Sequence, residues 1–106
     1  MNAATKPRFD LRIFLLLWPL LFVGCAVAPP VQEMSDARQA IRAAREAHAD
    51  RLAPQALNNA EHFLDEATGR LEDGAYLEAR QAALSAKDEA VRARDIAITS
   101  DDSKGM

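Results

Sequence analysis

A chain of 106 residues with a formal net charge of −3 has room for one small domain at most. The charge is uneven: residues 1–24 carry Lys6, Arg8 and Arg12 against Asp10, and the remaining 82 carry 10 Lys or Arg against 15 Asp or Glu, a net −5. An acidic body without a basic stripe argues against nucleic acid as a partner, and with Cys25 as the sole cysteine neither an intrachain disulfide nor a thiolate zinc cluster can form.

Residues 1–12 are polar with a positive balance, Ile13–Val23 is an unbroken apolar run, and Gly24-Cys25-Ala26 follows. A basic start, a short apolar core and small residues at a cut point are the three parts of a secretory signal. Counted to Ala28, the apolar stretch is still slightly below the roughly 17–25 residues that cross hydrocarbon as a helix, and Pro19 removes a backbone donor in its middle. Leu21-Phe22-Val23-Gly24-Cys25 resembles a lipobox, at which bacteria attach diacylglycerol to a cysteine and cut just before it. The thiol is the nucleophile that becomes a thioether, and Val23 and Gly24 are small enough for a narrow peptidase groove. Phe22 stands where that pattern usually has Leu. The resemblance implies a signal peptide over residues 1–24, cleavage between Gly24 and Cys25, and diacylglycerol plus an N-acyl lipid on Cys25. At ~0.8 kcal/mol per buried methylene, two or more acyl chains hold a protein firmly on a bilayer. Ala26, rather than Asp, follows the cysteine; by resemblance to known lipoprotein sorting this implies the periplasmic face of the outer membrane.

Residues 25–32, with Pro29-Pro30, read as a short tether. From Glu33 to Ile98 the chain is dense in alanine, with 18 Ala among residues 34–98, and Ala, Arg, Glu and Leu are strong helix formers. The first helix, about 34–51, has Met34, Ala37, Ile41, Ala44 and His48 on one stripe, with Ala40, Ala43 and Ala47 beside it. Ser35 is its expected N-cap, with Asp36 placed for the helix dipole. Pro54 suits the first turn of a second helix, about 55–73, in which Leu57, Ala60, Leu64, Ala67 and Leu71 share a face with Phe63 alongside; Asp73-Gly74 stops it. The third helix, about 75–98, sets Tyr76, Ala83, Ala90 and Ala97 on one row and Leu77, Leu84, Val91 and Ile98 on the adjacent row. Ala79, Ala86 and Ala93 complete the face. Residues 99–106 read as a disordered polar tail.

A single rod of about 100 Å is the rival architecture. Extending the Leu57–Leu64–Leu71 row by sevens lands on Glu78, Ser85 and Arg92, all polar, so the apolar stripe resets at Gly74 as it does across a tight turn. The expected fold is therefore all-α: an antiparallel up-down-up three-helix bundle over residues 33–98. Alanine rows let axes approach closely but bury little area, so the core is undersized and self-association or a partner helix is expected to complete it.

Candidate chemistry is sparse. His62, Asp65 and Glu66, at i, i+3 and i+4, are weak candidates for a divalent metal, since one helix face rarely supplies three fixed ligands; by heptad position His62 lies opposite Leu64 and Leu71. His48 reads as a packing residue near a helix C-terminus. Arg80–Lys87–Arg94 and Asp88–Arg92 read as intrahelical charge pairing on exposed faces, the former also as a docking surface for an acidic partner. Lys104 invites comparison with the murein lipoprotein, whose terminal lysine is bonded to peptidoglycan, but Gly105-Met106 follow it. No Ser-His-Asp constellation, phosphate loop or paired carboxylates are found, and an enzyme is not expected.

Taken in order, Glu33-Met34-Ser35-Asp36-Ala37-Arg38-Gln39-Ala40-Ile41, then Leu52-Ala53-Pro54-Gln55-Ala56-Leu57, then Gly74-Ala75-Tyr76-Leu77-Glu78-Ala79-Arg80 resemble the small lipoproteins carrying domain of unknown function 4398. The resemblance covers residues 25–98 and implies no assigned activity. Residues 60–86 also resemble one tetratricopeptide unit, with Gly74, Tyr76, Ala79 and Ala86 at its turn and second-helix positions, though the closing proline is missing. One unit makes a helical hairpin rather than a peptide-binding groove. The expectation is a non-enzymatic envelope lipoprotein without a non-covalent cofactor, binding another envelope protein or itself. Metal or small-ligand binding through His62, Asp65 and Glu66 is the alternative, and contact with peptidoglycan a weaker one.

Overall fold

The computed structural model describes residues 28–105. Among these residues there is no strand; the chain folds into four helices, α1 (Val31–Glu46), α2 (Ala49–Leu52), α3 (Pro54–Glu72) and α4 (Tyr76–Lys104). The expected signal peptide, with Gly24 and Cys25, lies outside the described residues.

Helix α1 begins before the tether was expected to end. Its N-cap is Pro30, which is fully buried, and no side chain caps it. Ser35 therefore lies inside the helix and is not the cap. The Met34 amide donates to the Pro30 carbonyl at 3.0 Å, starting the i→i+4 ladder one turn earlier than a hydroxyl cap at Ser35 allows. A two-proline segment suits this start because Pro has no amide to leave unsatisfied in a first turn.

The far end of α1 also departs from expectation. The helix ends at Glu46, not near residue 51, and His48 takes a left-handed conformation with φ 65°. The His48 amide donates to the Arg45 carbonyl at 2.9 Å. A left-handed residue rotates everything after it off the preceding helical face, so His48 is exposed rather than continuing the stripe. The single turn α2 follows, and Ala53 alone separates it from α3. Pro54 opens α3, where its missing amide is one the helix start leaves unpaired anyway.

The α3–α4 connection is three residues long and closed by backbone bonds. Gly74 has φ 77°; its amide donates to the Leu71 carbonyl at 3.1 Å, and the Ala75 amide donates to the Arg70 carbonyl at 2.9 Å. This pair of bonds with a left-handed glycine is the Schellman motif, which satisfies two terminal carbonyls of α3. So short a link folds α4 back along α3, and this is the largest helix–helix contact among the described residues. Helix α1 runs the same way as α4: Glu33 reaches Arg80 near both N-termini, and Ile41 and Ala44 cluster with Ala90, Ala93 and Ala97 further along. The direction is up-down-up. Helix α4 packs extensively against both α1 and α3, which touch each other little.

The interior is mostly alanine. Among the described residues Met34, Ile41 and Leu57 are the only core hydrophobic side chains larger than alanine, and Ala79, Ala83, Ala86, Ala90, Ala93 and Ala97 on α4 are all fully buried. Close helix approach is what such a face permits, since a methyl group adds little beyond the backbone cylinder. Leu64 and Leu71, expected on the buried face of α3, are only half-buried. The row Leu77, Leu84, Val91 and Ile98 lies outside the buried core; these residues are 71%, 46%, 41% and 40% exposed. Finally, α4 continues to Lys104, so Thr99–Lys104, read as disordered tail, is helical. The Thr99 hydroxyl donates to the Asp95 carbonyl at 2.9 Å and Ser103 to Ser100 at 2.9 Å, side-chain bonds compatible with an uninterrupted helix.

Candidate interaction surfaces

The residues singled out for metal binding stay apart. His62, Asp65 and Glu66 are exposed on α3, and among the described residues no group of three or more His, Cys, Asp or Glu is placed to hold a metal ion. The His62 ring has an aromatic neighbour instead, Phe63, with centroids 6.4 Å apart and planes tilted by 57°. Tyr76 sits at the first position of α4, half-buried, next to the Gly74 turn. Ala79 and Ala86 are fully buried on α4, and Pro54 is at the start of α3.

Charge pairing runs between helices as much as along them. Arg80 Nε–H donates to Glu33 Oε1 at 3.1 Å and its guanidinium also reaches the Ala28 carbonyl at 3.3 Å, tying the start of α1 to the start of α4. Arg45 on α1 bonds Glu61 on α3. Arg92 lies 3.5 Å from Glu89, one turn before it, rather than pairing with Asp88 as expected. These pairs are partly to largely solvent-exposed, and each contributes on the order of 0.2–1 kcal/mol.

Because α1 and α3 diverge over α4, a groove of about 360 Å³ opens between them. Arg38, Ile41, Arg42 and Arg45 line it from α1, and Glu61, Leu64 and Asp65 from α3. Ile41 is nearly covered and the walls carry both signs, so the groove offers neither a strong apolar seat nor a single-sign field. A hollow of about 290 Å³ beside the Gly74 turn, lined by Tyr76 and Leu77 among others, is similarly shallow in chemistry.

The surface that sequence reasoning missed is the Leu77–Leu84–Val91–Ile98 row. It repeats every seven residues along α4 and is open to solvent at each step. The signal was present in the neighbouring positions. Steps of i+3 from the row lead to Arg80, Lys87, Arg94 and, at the last step, Asp101, and steps of i+4 lead to Gln81, Asp88, Asp95 and Asp102. A row bracketed by charges on both sides faces outward, whereas the alanine rows have one another as neighbours.

The family described as domain of unknown function (DUF4398) matches residues 32–104. No curated protein matches the chain. No solved structure matches it either.

Proposed function

We propose, from the premise that this chain belongs to the family of domain of unknown function DUF4398, that it is a non-enzymatic lipoprotein of the bacterial envelope. In this reading lipid on Cys25 holds it at the periplasmic face of the outer membrane, and its helices form a protein-interaction module. The observation that carries the anchor is the placement of the sole cysteine. Cys25 follows Gly24 directly after the apolar run Ile13–Val23, where a diacylglyceryl transfer and cleavage would occur. Within the described residues no helix is long and apolar enough to cross a membrane. The interaction role is supported by α4, whose outer apolar row is exposed to solvent along its length.

Intact mass spectrometry of the protein extracted from membranes tests the anchor. The expected species begins at Cys25 and carries the added mass of acyl chains, and Cys25→Ser accumulates as the full-length precursor without lipid. A native protein starting at Met1 with a free thiol overturns the reading.

A further inference from the structure

The row Leu77, Leu84, Val91 and Ile98 spans 22 residues, about 30 Å of helix axis. Lys87 and Arg94 lie exposed along one flank, and Asp88 and Asp95 along the other. Among the described residues none of these four makes an ion pair. The row is thus an apolar ridge with a basic edge and an acidic edge, each unanswered within the fold.

We infer that a second copy of this chain covers the ridge, with the two α4 helices side by side and parallel. The charge pattern selects both the partner and its direction. In a parallel pair a two-fold axis runs along the common helix direction, which sets the basic edge of each copy against the acidic edge of the other. Identical residues then face each other, Leu84 on Leu84 and Val91 on Val91. Lys87 stands one residue, about 1.5 Å of rise, from the level of Asp88 in the other copy, and Arg94 stands likewise to Asp95. Turning one copy end over end sets basic edge on basic edge and acidic edge on acidic edge, which is repulsive. The ridge is complementary to itself in one orientation only.

A single row of side chains is narrower than the two-row seam of a coiled coil, and the area it offers is small for a free dimer in solution. Confinement to a bilayer changes this. Two chains fastened at Cys25 share a surface, meet at a raised effective concentration and rise from it in the same direction. That part of the inference rests on the lipid anchor proposed above; the charge argument does not.

Disulfide trapping of the full chain in its own membranes tests the arrangement. Leu84→Cys and Val91→Cys are made separately, with Glu66→Cys on exposed α3 and the unaltered chain as controls. Mild oxidation is expected to give homodimers from each ridge cysteine roughly tenfold above either control, as a preference of one decade in the pairing equilibrium requires. Equal yields at all positions mean random collision and overturn the inference. Dimers that form only when Leu84→Cys and Val91→Cys are expressed together mean antiparallel packing and overturn it too. Monomer throughout overturns it as well.

Charge exchange gives an independent reading. Added to Leu84→Cys, the pair Lys87→Glu with Arg94→Glu is expected to abolish the excess of homodimer, as is the pair Asp88→Lys with Asp95→Lys. The two charge variants expressed together restore cross-linking between them; failure to do so overturns the edge pairing. Mass spectrometry of the same membranes reads Cys25. Ridge dimers on chains without lipid remove the anchor and leave the pairing, while lipid on Cys25 without ridge dimers removes the pairing alone.

Discussion

Among the described residues two, His48 and Gly74, turn the chain through the left-handed region, and only one of them is a glycine. At Gly74, φ 77°, a Cβ would meet nothing within 4 Å, so any penalty for adding one is purely conformational. Gly74→Ala is expected to lower stability by about 1 kcal/mol, the cost of placing an L side chain at positive φ. Gly69 lies inside α3, also with open space around it. Gly69→Ala is therefore expected to act in the opposite direction, raising stability by up to ~1 kcal/mol through helix propensity. Urea unfolding of the two variants of the full chain checks the pair, and a common sign would show that the turn is not held as described. His48, φ 65°, carries the strain that Gly74 avoids. His48→Gly is expected to stabilise by roughly 0.5 kcal/mol, relief of the left-handed penalty less the added freedom of the unfolded chain. The same titration reads it.

At the scale of the element, α4 shows what periodicity can and cannot reveal. For α1 the spacing of Met34, Ala37, Ile41 and Ala44 identifies the buried stripe because the flanking rows are polar or smaller. In α4 two apolar rows lie side by side, and hydrophobic weight alone favours the leucine row. Packing favours the other, because two helices converge on α4 and only alanine lets both come close. Ala86→Leu is accordingly expected to cost about 1–3 kcal/mol by overpacking, whereas Leu84→Ala stays within ~0.5 kcal/mol in the dilute, detergent-solubilised chain. Thermal unfolding followed by far-ultraviolet circular dichroism compares them; a larger loss at Leu84 would place the core on the wrong row. The extent of α4 was illegible for a different reason. Thr99–Lys104 is polar and, apart from half-buried Ser100, exposed, which reads as a frayed end, yet it contains no Gly or Pro, and a helix already nucleated continues through such residues. The break at His48 left no mark in the sequence, because neither Gly nor Asn stands there to announce a left-handed residue.

The whole molecule rests on very little apolar volume, and that volume is unevenly divided. One cluster joins Ile41 and Leu57 to Ala49, Ala53, Ala60, Ala90, Ala93 and Ala97; the other joins Met34 to Ala67, Ala82 and Ala83, with Leu64 touching both. Leu57 thus belongs to a cluster shared by every helix, while Met34 chiefly holds the start of α1 to the α3–α4 hairpin. Truncating either to alanine is expected to cost about 2–5 kcal/mol, a large part of the ~5–15 kcal/mol available to any native domain. The consequences differ in place. Helix α1 leans almost wholly on α4 and barely meets α3, so it can lift away while the hairpin, closed by its three-residue turn, stays folded. Met34→Ala is expected to speed amide exchange over Val31–Glu46 well before Pro54–Glu72, and Leu57→Ala to speed it in all the long helices together. Hydrogen exchange resolved by residue decides between this hierarchy and a single cooperative unit. If Met34→Ala raised exchange equally in α1 and α3, α1 would be as integral to the fold as the hairpin, and the inner face of α4 would act as one interface rather than two.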